Sequence, residues 1–140
     1  MKRILMPIDL EDVSSAAKSL QVMAKYINVD DEVWLINVMA GYEMPMVASY
    51  FPKGAIDSAI ESVTAKLEEL GNVNVGQDRC NVKISLGRPA KAILDASTEL
   101  SCDLIVICAR KHSTVEKMML GSVTAKVVDR ASCDVLVIRP

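Results

Sequence analysis

The chain has 140 residues, of which 51% are hydrophobic and 24% charged, and its formal net charge is -2. This length predicts one domain over residues 1–140, able to bury a core without disulfides or metals. The slightly negative net charge argues against nucleic acid as a partner, because phosphate backbones are bound by basic surfaces. No apolar run approaches the roughly 18 residues of a membrane helix, so no membrane partner is expected.

The first residues and the cysteines indicate a cytoplasmic protein. Pro7 and Asp9 interrupt the apolar start of the chain, which is typical of a strand and not of a signal peptide. The cysteines form no CxxC pair and show no zinc-site spacing: Cys80, Cys102, Cys108, Cys133. With His112 as the single histidine, no metal site is expected. The cysteines are interpreted as small, half-buried apolar residues, with a redox or regulatory thiol at Cys108 as the alternative.

Strand and helix patterns alternate through the first half of the chain. Arg3–Ile8 is predicted as a strand, and Val13–Ile27 carries apolar residues at three- and four-residue steps, the spacing of a helix face. Glu32–Val38 is rich in bulky and β-branched residues and predicts a second strand. Apolar residues over Ile56–Leu70 then predict a second helix, which closes near Gly71.

The alternation continues in the second half. Asn81–Leu86 is predicted as a third strand, and Pro89 suits the first turn of the helix that follows, where its missing N–H costs little. Asp103–Cys108 is predicted as a fourth strand. A helix from about Gly121 to Ala131 and a last strand over Asp134–Arg139 complete the pattern.

Strands separated by helices predict an α/β fold with an open, five-stranded parallel sheet. Leu104–Ile107 and Val135–Ile138 are apolar on both faces, as expected when helices cover both sides of the sheet. The third strand alternates between apolar and polar residues, which is typical of an edge strand with one face partly exposed to solvent. The last strand lacks a polar face, so if it also lies at an edge, a second copy of the chain is the simplest partner.

Parallel sheets bind ligands beyond the carboxyl ends of their strands, where the strand order reverses. Pro7-Ile8-Asp9, Val38 and the stretch from Cys108 to Val123 are predicted to lie there. Within that stretch, Gly121-Ser122 enters a helix, whose free N–H groups form an anion site that the Ser122 hydroxyl can join. The alternative is that Ser122 is an ordinary N-cap residue.

The whole chain resembles the universal stress protein family. The matching segments are Met6-Pro7-Ile8-Asp9, Leu35-Ile36-Asn37-Val38, Gly87-Arg88-Pro89, Ala92-Ile93-Leu94, Asp103–Val106, Leu120-Gly121-Ser122-Val123 and Cys133–Arg139. The resemblance implies the strand order 3-2-1-4-5, helices on both faces and a cytoplasmic homodimer formed through the last strand, Val135–Ile138. In one branch of the family, ATP binds where the strand order reverses.

The resemblance also implies contacts for the nucleotide. Asp9 and Val38 would hold the adenine, and Pro7, Ile107 and Cys108 would line the adenosine. Ile8 is also among the implied nucleotide contacts. Gly121, Ser122 and Val123 would meet the phosphates. Two glycines of the family's Gly-x2-Gly-x9-Gly-Ser/Thr motif are replaced here by Cys108 and Lys111. Lys111 permits the backbone conformations of glycine less readily, but it brings a cation for a triphosphate.

The predicted function is that of an ATP-binding regulatory protein, with Mg²⁺ as a possible companion of the nucleotide. ATP would order residues 109–120 and the long connection 39–54, and so change the surface seen by a regulatory partner not identified by the sequence. Met44, Met46, Tyr50 and Phe51 in that connection are interpreted as a cover over the site or as a partner surface. The alternative function is a dimeric interaction module that binds no nucleotide. Catalysis beyond slow ATP hydrolysis is not expected, because no nucleophile–base pair is visible.

Overall fold

The computed structural model describes residues 1–41, 44–109 and 120–139. Strands and helices alternate, apart from one short helix between the second strand and the long third helix. In chain order the elements are β1 (Arg3–Pro7), α1 (Val13–Met23), β2 (Glu32–Met39), α2 (Pro45–Ala48), α3 (Ala55–Asn74), β3 (Cys80–Leu86), α4 (Pro89–Glu99), β4 (Leu104–Cys108), α5 (Ser122–Arg130) and β5 (Asp134–Ile138).

The five strands form one parallel sheet in the order β3-β2-β1-β4-β5. The predicted fold class and strand order are therefore confirmed, as are the edge positions of β3 and β5. In the centre of the sheet, Leu5 pairs with Trp34 of β2 on one side and with Ile105 of β4 on the other. The strand order reverses between β1 and β4, so their carboxyl ends open a crevice at the middle of the sheet.

Each face of the sheet buries its own apolar cluster. On one face, Leu20 and Met23 of α1 and Leu67 of α3 pack against sheet residues such as Ile4 and Val106. On the other, Ile93 of α4 and Val127 of α5 pack against the alternate residues of the strands, among them Leu5, Ile36 and Ile105. Successive residues of a strand point to opposite faces, so covering both faces produces the near-continuous apolar runs of the central strands.

Two predicted helix boundaries were wrong. Helix α1 ends at Met23, whereas the apolar spacing continues to Ile27, which packs against the core from outside the helix. Helix α3 passes through Gly71 and ends at Asn74. Gly71 is buried against β3, where a Cβ would lie 3.0 Å from the Cβ of Cys80. This glycine therefore permits close packing of the helix on the sheet and does not end the helix.

The predictions for Pro89 and for the burial of the cysteines are confirmed. Pro89 is the first residue of α4 and follows an extended Arg88, as a proline at a helix start requires. All four cysteines are free and half-buried. Among the described residues, no helix is both long and apolar enough to cross a membrane.

Candidate functional site

A cleft of about 450 Å³ lies at the carboxyl ends of β1 and β4. The side chains around it come from both faces of the sheet, because helices α1, α4 and α5 all reach its rim. The lining residues named by the structure are Met6, Pro7, Ile8, Asp9, Glu11, Asp12, Ser15, Ala16, Ser19, Ile36, Asn37, Val38, Pro89, Ile93, Ile107, Cys108, Ala109, Gly121, Ser122, Val123 and Thr124. The cleft is thus the crevice at which the strand order reverses.

The ends of β1 and β2 are tied together beside the cleft. The backbone N–H of Ile8 donates to the carbonyl of Ile36 at 2.8 Å, which carries the parallel pairing one residue beyond β1. The side-chain amide of Asn37 donates to the carbonyl of Ile8 at 3.0 Å. The next residue, Asp9, turns the chain toward α1, and its Oδ1 accepts the backbone N–H of Glu11 at 2.9 Å. Asp9 therefore has a structural role in the first loop, whatever it contacts in a ligand.

Helices α1 and α5 both begin beside the cleft, and their N-termini differ in charge. At α1, Asp12 is the N-cap, and its Oδ1 accepts the backbone N–H of Ser15 at 3.1 Å. The hydrogen bonds from Ser15 hold the pKa of Asp12 below its usual value. The negative charge of this carboxylate partly neutralises the positive end of the α1 helix dipole. An anion is therefore favoured at the N-terminus of α5 over that of α1.

At α5 the N-cap is Gly121, which has no side chain to cap the helix. The ladder of helical hydrogen bonds begins with Ala125, whose N–H donates to the carbonyl of Gly121 at 2.9 Å. The amides of Ser122, Val123 and Thr124 precede that ladder, and such N–H groups are suited to an anion. Ser122 is exposed and is the first helical residue, so its interpretation as an ordinary N-cap was wrong.

Cys108 ends β4 and lines the cleft. Its Sγ lies 3.7 Å from the carbonyl oxygen of Ala109. Burial raises the pKa of this thiol, and a hydrogen bond from Ser19 opposes the shift in part. The pKa values of Cys80 and Cys102 are raised by burial to about 11. Neutral thiols react slowly, so these pKa values favour packing over redox chemistry.

The structure brings together all the predicted nucleotide contacts that it describes. The same cleft is lined by Pro7, Ile8, Asp9, Val38, Ile107, Cys108, Gly121, Ser122 and Val123. Lys111 and His112 lie outside the described residues. That these side chains bind a nucleotide remains a prediction.

The segment around α2 is not among the described residues that line the cleft, so the expectation of a cover finds no support there. Its large apolar side chains are exposed, with Met46 at 74% and Tyr50 at 82% of their full accessibility. The alternative interpretation of this segment, a partner surface, stays a prediction.

Six polar residues of the described lining are absent from the contacts predicted from sequence: Glu11, Asp12, Ser15, Ser19, Asn37 and Thr124. Ser19 and Thr124 are buried at 0% and 5% exposure, although their hydroxyls are polar. A signal for Asn37 was present in the sequence, because it is an amide near the end of an otherwise apolar strand. Ser19 and Thr124 sit among helical residues, and helical spacing alone does not tell a core position from a cleft position.

The charges of the described lining are acidic. Asp9, Glu11 and Asp12 contribute carboxylates, and no Lys or Arg is among the described lining residues. No group of three or more His, Cys, Asp or Glu side chains in the described part of the chain is placed to hold a metal ion. An anion in this cleft would therefore rest on the amides of α5, on any cation it brings, and on side chains outside the described residues.

Comparison with known proteins identifies the family. The family model described as the universal stress protein family matches residues 1–139. The chain belongs to the universal stress protein family. It is 30% identical to universal stress protein YxiE of Bacillus subtilis over 148 aligned positions, which cover 98% of each chain.

Solved structures of this family share the fold. A universal stress protein in complex with cAMP matches with a TM-score of 0.69 at 19% identity, covering 99% of this chain and 96% of the other. A universal stress protein of Archaeoglobus fulgidus in complex with dAMP matches with a TM-score of 0.67 at 16% identity, covering 99% and 98%. At such identities the likeness establishes the fold, and it shows that some members of the family bind nucleotides.

Proposed function

We propose that this universal stress protein is a dimeric regulatory protein that binds ATP in the cleft between β1 and β4. The observation that carries the proposal is the N-terminus of α5, which lies at the rim of the cleft with glycine as its N-cap. An unneutralised helix N-terminus favours a phosphate group. The relatives that hold cAMP and dAMP support a nucleotide as the ligand class.

The cleft offers different chemistry to the two ends of a nucleotide. The amides of Ser122 and Val123, together with the Ser122 hydroxyl, suit the phosphates. Apolar side chains such as Val38 and Ile107 suit the faces of a base or ribose. A divalent cation bound to the phosphates would reduce their repulsion by the carboxylates of the lining, which favours MgATP over free ATP.

The acidic lining also favours a second candidate function, a dimeric interaction module that binds no nucleotide. The three carboxylates named above repel a triphosphate, and Cys108 stands where the nucleotide-binding branch has glycine. The two functions differ in whether MgATP stabilises the folded protein.

Dimer formation through β5 is part of both functions. β5 is an edge strand, and Val135, Leu136 and Val137 are only half-buried in the single chain. An apolar edge with unpaired backbone groups is a surface for pairing with a second strand. Pairing two copies of β5 would bury these side chains and join the two sheets.

Regulation would follow from ligand-linked stability. ATP that binds only the folded, closed arrangement shifts the population toward it, by an amount set by its differential affinity. The N-terminus of α5 and the ends of β1 and β2 would be drawn together around the ligand. A regulatory partner would then distinguish the loaded surface from the empty one without any chemical step on the nucleotide.

The test is a thermal melt with and without millimolar MgATP. At a concentration of about 100 Kd, binding adds about 2.7 kcal/mol, which raises the melting midpoint by roughly 8 °C. The rise should shrink in Ser122→Ala and in Asp9→Ala. It should stay unchanged in Ser62→Ala, a matched change of an exposed serine on α3. The absence of a shift in the parent protein would favour the nucleotide-free module.

A further inference from the structure

Two cysteines are neighbours at the end of the sheet opposite the cleft. Cys102 lies just before β4, and Cys133 lies just before β5. The two strands pair in parallel, with Leu104 opposite Asp134 at their amino ends. Continuing this register back by one residue places Asp103 opposite Cys133. Cys102 is therefore the diagonal neighbour of Cys133 across the two strands.

The spacing of the two strands suits a disulfide at this position. Paired strands lie about 4.8 Å apart and rise about 3.3 Å per residue, so diagonal neighbours have Cα atoms roughly 6 Å apart. Disulfides join residues whose Cα atoms are about 4.4–6.8 Å apart. A bond between Cys102 and Cys133 is thus compatible with the pairing of β4 and β5.

The two side chains share one environment. Both pack against the apolar cluster on the face of the sheet that α4 and α5 cover. Burial raises the pKa of Cys102 to about 11, and the second cause of this shift is the charge of a thiolate at Cys133. Such an effect requires the two sulfur atoms to be close together. The other two cysteines lie elsewhere, because Cys80 packs on the opposite face and Cys108 lines the cleft.

The two thiols differ in how readily they ionise. Burial raises the pKa of Cys133 as well, but hydrogen bonds from the backbone N–H groups of Ile105 and of Cys133 itself oppose this shift in part. Cys133 therefore ionises first, and its charge then holds Cys102 in the neutral form. Since the thiolate is the nucleophile, Cys133 is the residue that attacks an oxidant and Cys102 the residue that resolves the product.

The charges around the pair favour a small neutral oxidant. The carboxylates of Asp103 and Asp134 act on Cys133, and those of Asp103 and Glu32 act on Cys102. The guanidinium of Arg3 is the cation beside Cys102, and it is already paired with Glu32 at 3.3 Å. This surplus of negative charge repels an anionic oxidant such as glutathione disulfide. Half-burial of both thiols also excludes bulky molecules, so hydrogen peroxide fits the site better.

We propose that Cys102 and Cys133 form a disulfide that fastens β5 to β4 when hydrogen peroxide oxidises the protein. The Cys133 thiolate attacks one oxygen of the peroxide, the O–O bond breaks, and the departing hydroxide takes up a proton to form water. The product is a sulfenic acid at Cys133. Cys102 then loses its proton and attacks that sulfur, the S–O bond breaks, and the second hydroxide takes up a proton. Two thiols are oxidised by two electrons in total, and one peroxide becomes two waters.

The disulfide would stabilise the folded protein. It closes a loop that contains β4 and α5, and a closed loop lowers the conformational entropy of the unfolded chain. The melting midpoint of the oxidised protein should therefore rise by about 5–10 °C. The raised pKa values make the reaction slow near pH 7, so the pair responds to sustained and not to brief exposure to peroxide.

The experiment treats the whole chain with hydrogen peroxide at pH 8 and maps its peptides by mass spectrometry without reduction. The main product should be the peptide of Cys102 joined to that of Cys133. The melting midpoint should rise in parallel, and dithiothreitol should reverse both changes. Formation of the disulfide should be about tenfold slower at pH 7 than at pH 8, because the thiolate fraction falls tenfold. Glutathione disulfide at the same concentration should react more slowly than peroxide.

Three variants assign the roles of the cysteines. Cys102→Ser should stop the reaction at a sulfenic acid on Cys133, which dimedone captures. Cys133→Ser should give little sulfenic acid on Cys102, since the pKa of that thiol is about 11. The matched control is Cys80→Ser, because burial raises the pKa of Cys80 to about 11 as well, and it lies on the other face of the sheet. This variant should keep both the disulfide and the rise of the midpoint.

A melt of each variant without peroxide establishes that it is folded. The proposal is overturned by oxidation of Cys133 to a sulfinic acid while Cys102 stays a thiol, or by the absence of the joined peptides. A bond between the Cys133 residues of two chains, seen as a dimer on a non-reducing gel, overturns it too. Equal capture of sulfenic acid in Cys102→Ser and Cys133→Ser contradicts the assignment of Cys133 as the attacking thiol.

Discussion

The carboxylate of Asp31 fastens the beginning of β1 to the turn before β2. Its Oδ1 accepts the backbone N–H of Lys2 at 2.8 Å, and its Oδ2 accepts the backbone N–H of Asn28 at 2.8 Å. The ammonium group of Lys2 lies 3.7 Å from the same carboxylate, whose side chain is 1% exposed. Because each oxygen has a backbone donor, the ionised form fits this position and the protonated form does not.

We predict that stability at acid pH depends on Asp31. The backbone hydrogen bonds from Asn28 and Lys2 hold the pKa of Asp31 in the folded protein below its usual value. A lowered folded pKa contributes stability that is present above the unfolded pKa and is lost as the pH falls through the folded pKa. Asp31→Asn should lower the melting midpoint at pH 7 by roughly 5 °C, because its NH₂ group faces another donor.

The pH series carries the decisive comparison for Asp31. The difference between the midpoints of wild type and Asp31→Asn should be constant near neutral pH and should shrink as the pH falls below about 4. The control is Asp57→Asn, a change at an acidic residue in the first turn of α3 that is exposed to solvent. A difference that does not change with pH would mean that the asparagine acts through its shape and not through charge.

Gly71 is predicted to be a packing residue. A Cβ at this position would meet the Cβ of Cys80 at 3.0 Å and Cδ1 of Leu35 at 3.3 Å. Alanine gains about 1 kcal/mol of helix propensity, but overpacking a tight contact costs about 1–3 kcal/mol. The Cys80 Cβ is attached to the strand backbone and cannot rotate away, so Gly71→Ala should lose about 1 kcal/mol overall. Urea denaturation measures this change, and a more stable Gly71→Ala would contradict it.

The fold could be predicted from the sequence because apolar residues recur with different spacing in its strands and its helices. Runs such as Leu104–Ile107 are apolar on both faces only in a sheet covered on both sides, and the structure has that arrangement. The errors came from tertiary contacts. Glycine at position 71 resembles a helix stop until β3 is seen beside it. Ile27 continues the helical spacing because the core, and not the helix, needs an apolar side chain there.

Part of the site could be predicted from the sequence. The carboxyl ends of β1 and β4 and the Gly121-Ser122 pair could be placed in one crevice from topology alone. The hydrogen bond from Asn37 to Ile8 could not, because it depends on the orientation of the side-chain amide. The capping of α1 by Asp12 and the lack of a capping side chain on α5 likewise became clear only from the hydrogen bonds.

Cys108 is predicted to report on the cleft. Burial raises the pKa of its thiol, so the protein holds it as a neutral thiol at pH 7, and labelling by a maleimide should be slow. Below the pKa the thiolate fraction rises tenfold per pH unit, so the labelling rate should rise between pH 7 and pH 8 by about tenfold. Peptide mapping by mass spectrometry gives the rate at each cysteine.

Saturating MgATP should slow the labelling of Cys108 at least several-fold if it occupies the cleft. Cys133 is the internal control, because it is half-buried and does not line the cleft. Equal protection of both cysteines would show general stabilisation of the fold and not occupation of the cleft. Prior labelling of Cys108 should in turn reduce the shift of the melting midpoint caused by MgATP.

The proposed dimer depends on which backbone groups of β5 face outward. The carbonyl of Ile138 accepts the N–H of Ala109 at 2.8 Å, so Ile138 points its backbone groups toward β4. Backbone groups alternate in direction along a strand, so Leu136 also faces β4, whereas Val135 and Val137 face the open edge. Val137→Pro therefore removes an outward N–H and spares the pairing of β5 with β4.

We predict that Val137→Pro shifts the protein from dimer to monomer at micromolar concentration, as measured by light scattering during size-exclusion chromatography. Its melting midpoint, extrapolated to low protein concentration, should fall only modestly, because the backbone hydrogen bonds between β5 and β4 are kept although the half-buried Val137 side chain on the core is replaced. Val137→Ala, which retains the N–H, should remain dimeric. Leu136→Pro should unfold the edge of the sheet, since it removes a donor to β4. A dimeric Val137→Pro would contradict a dimer joined through the outward backbone N–H of Val137, since proline removes that donor.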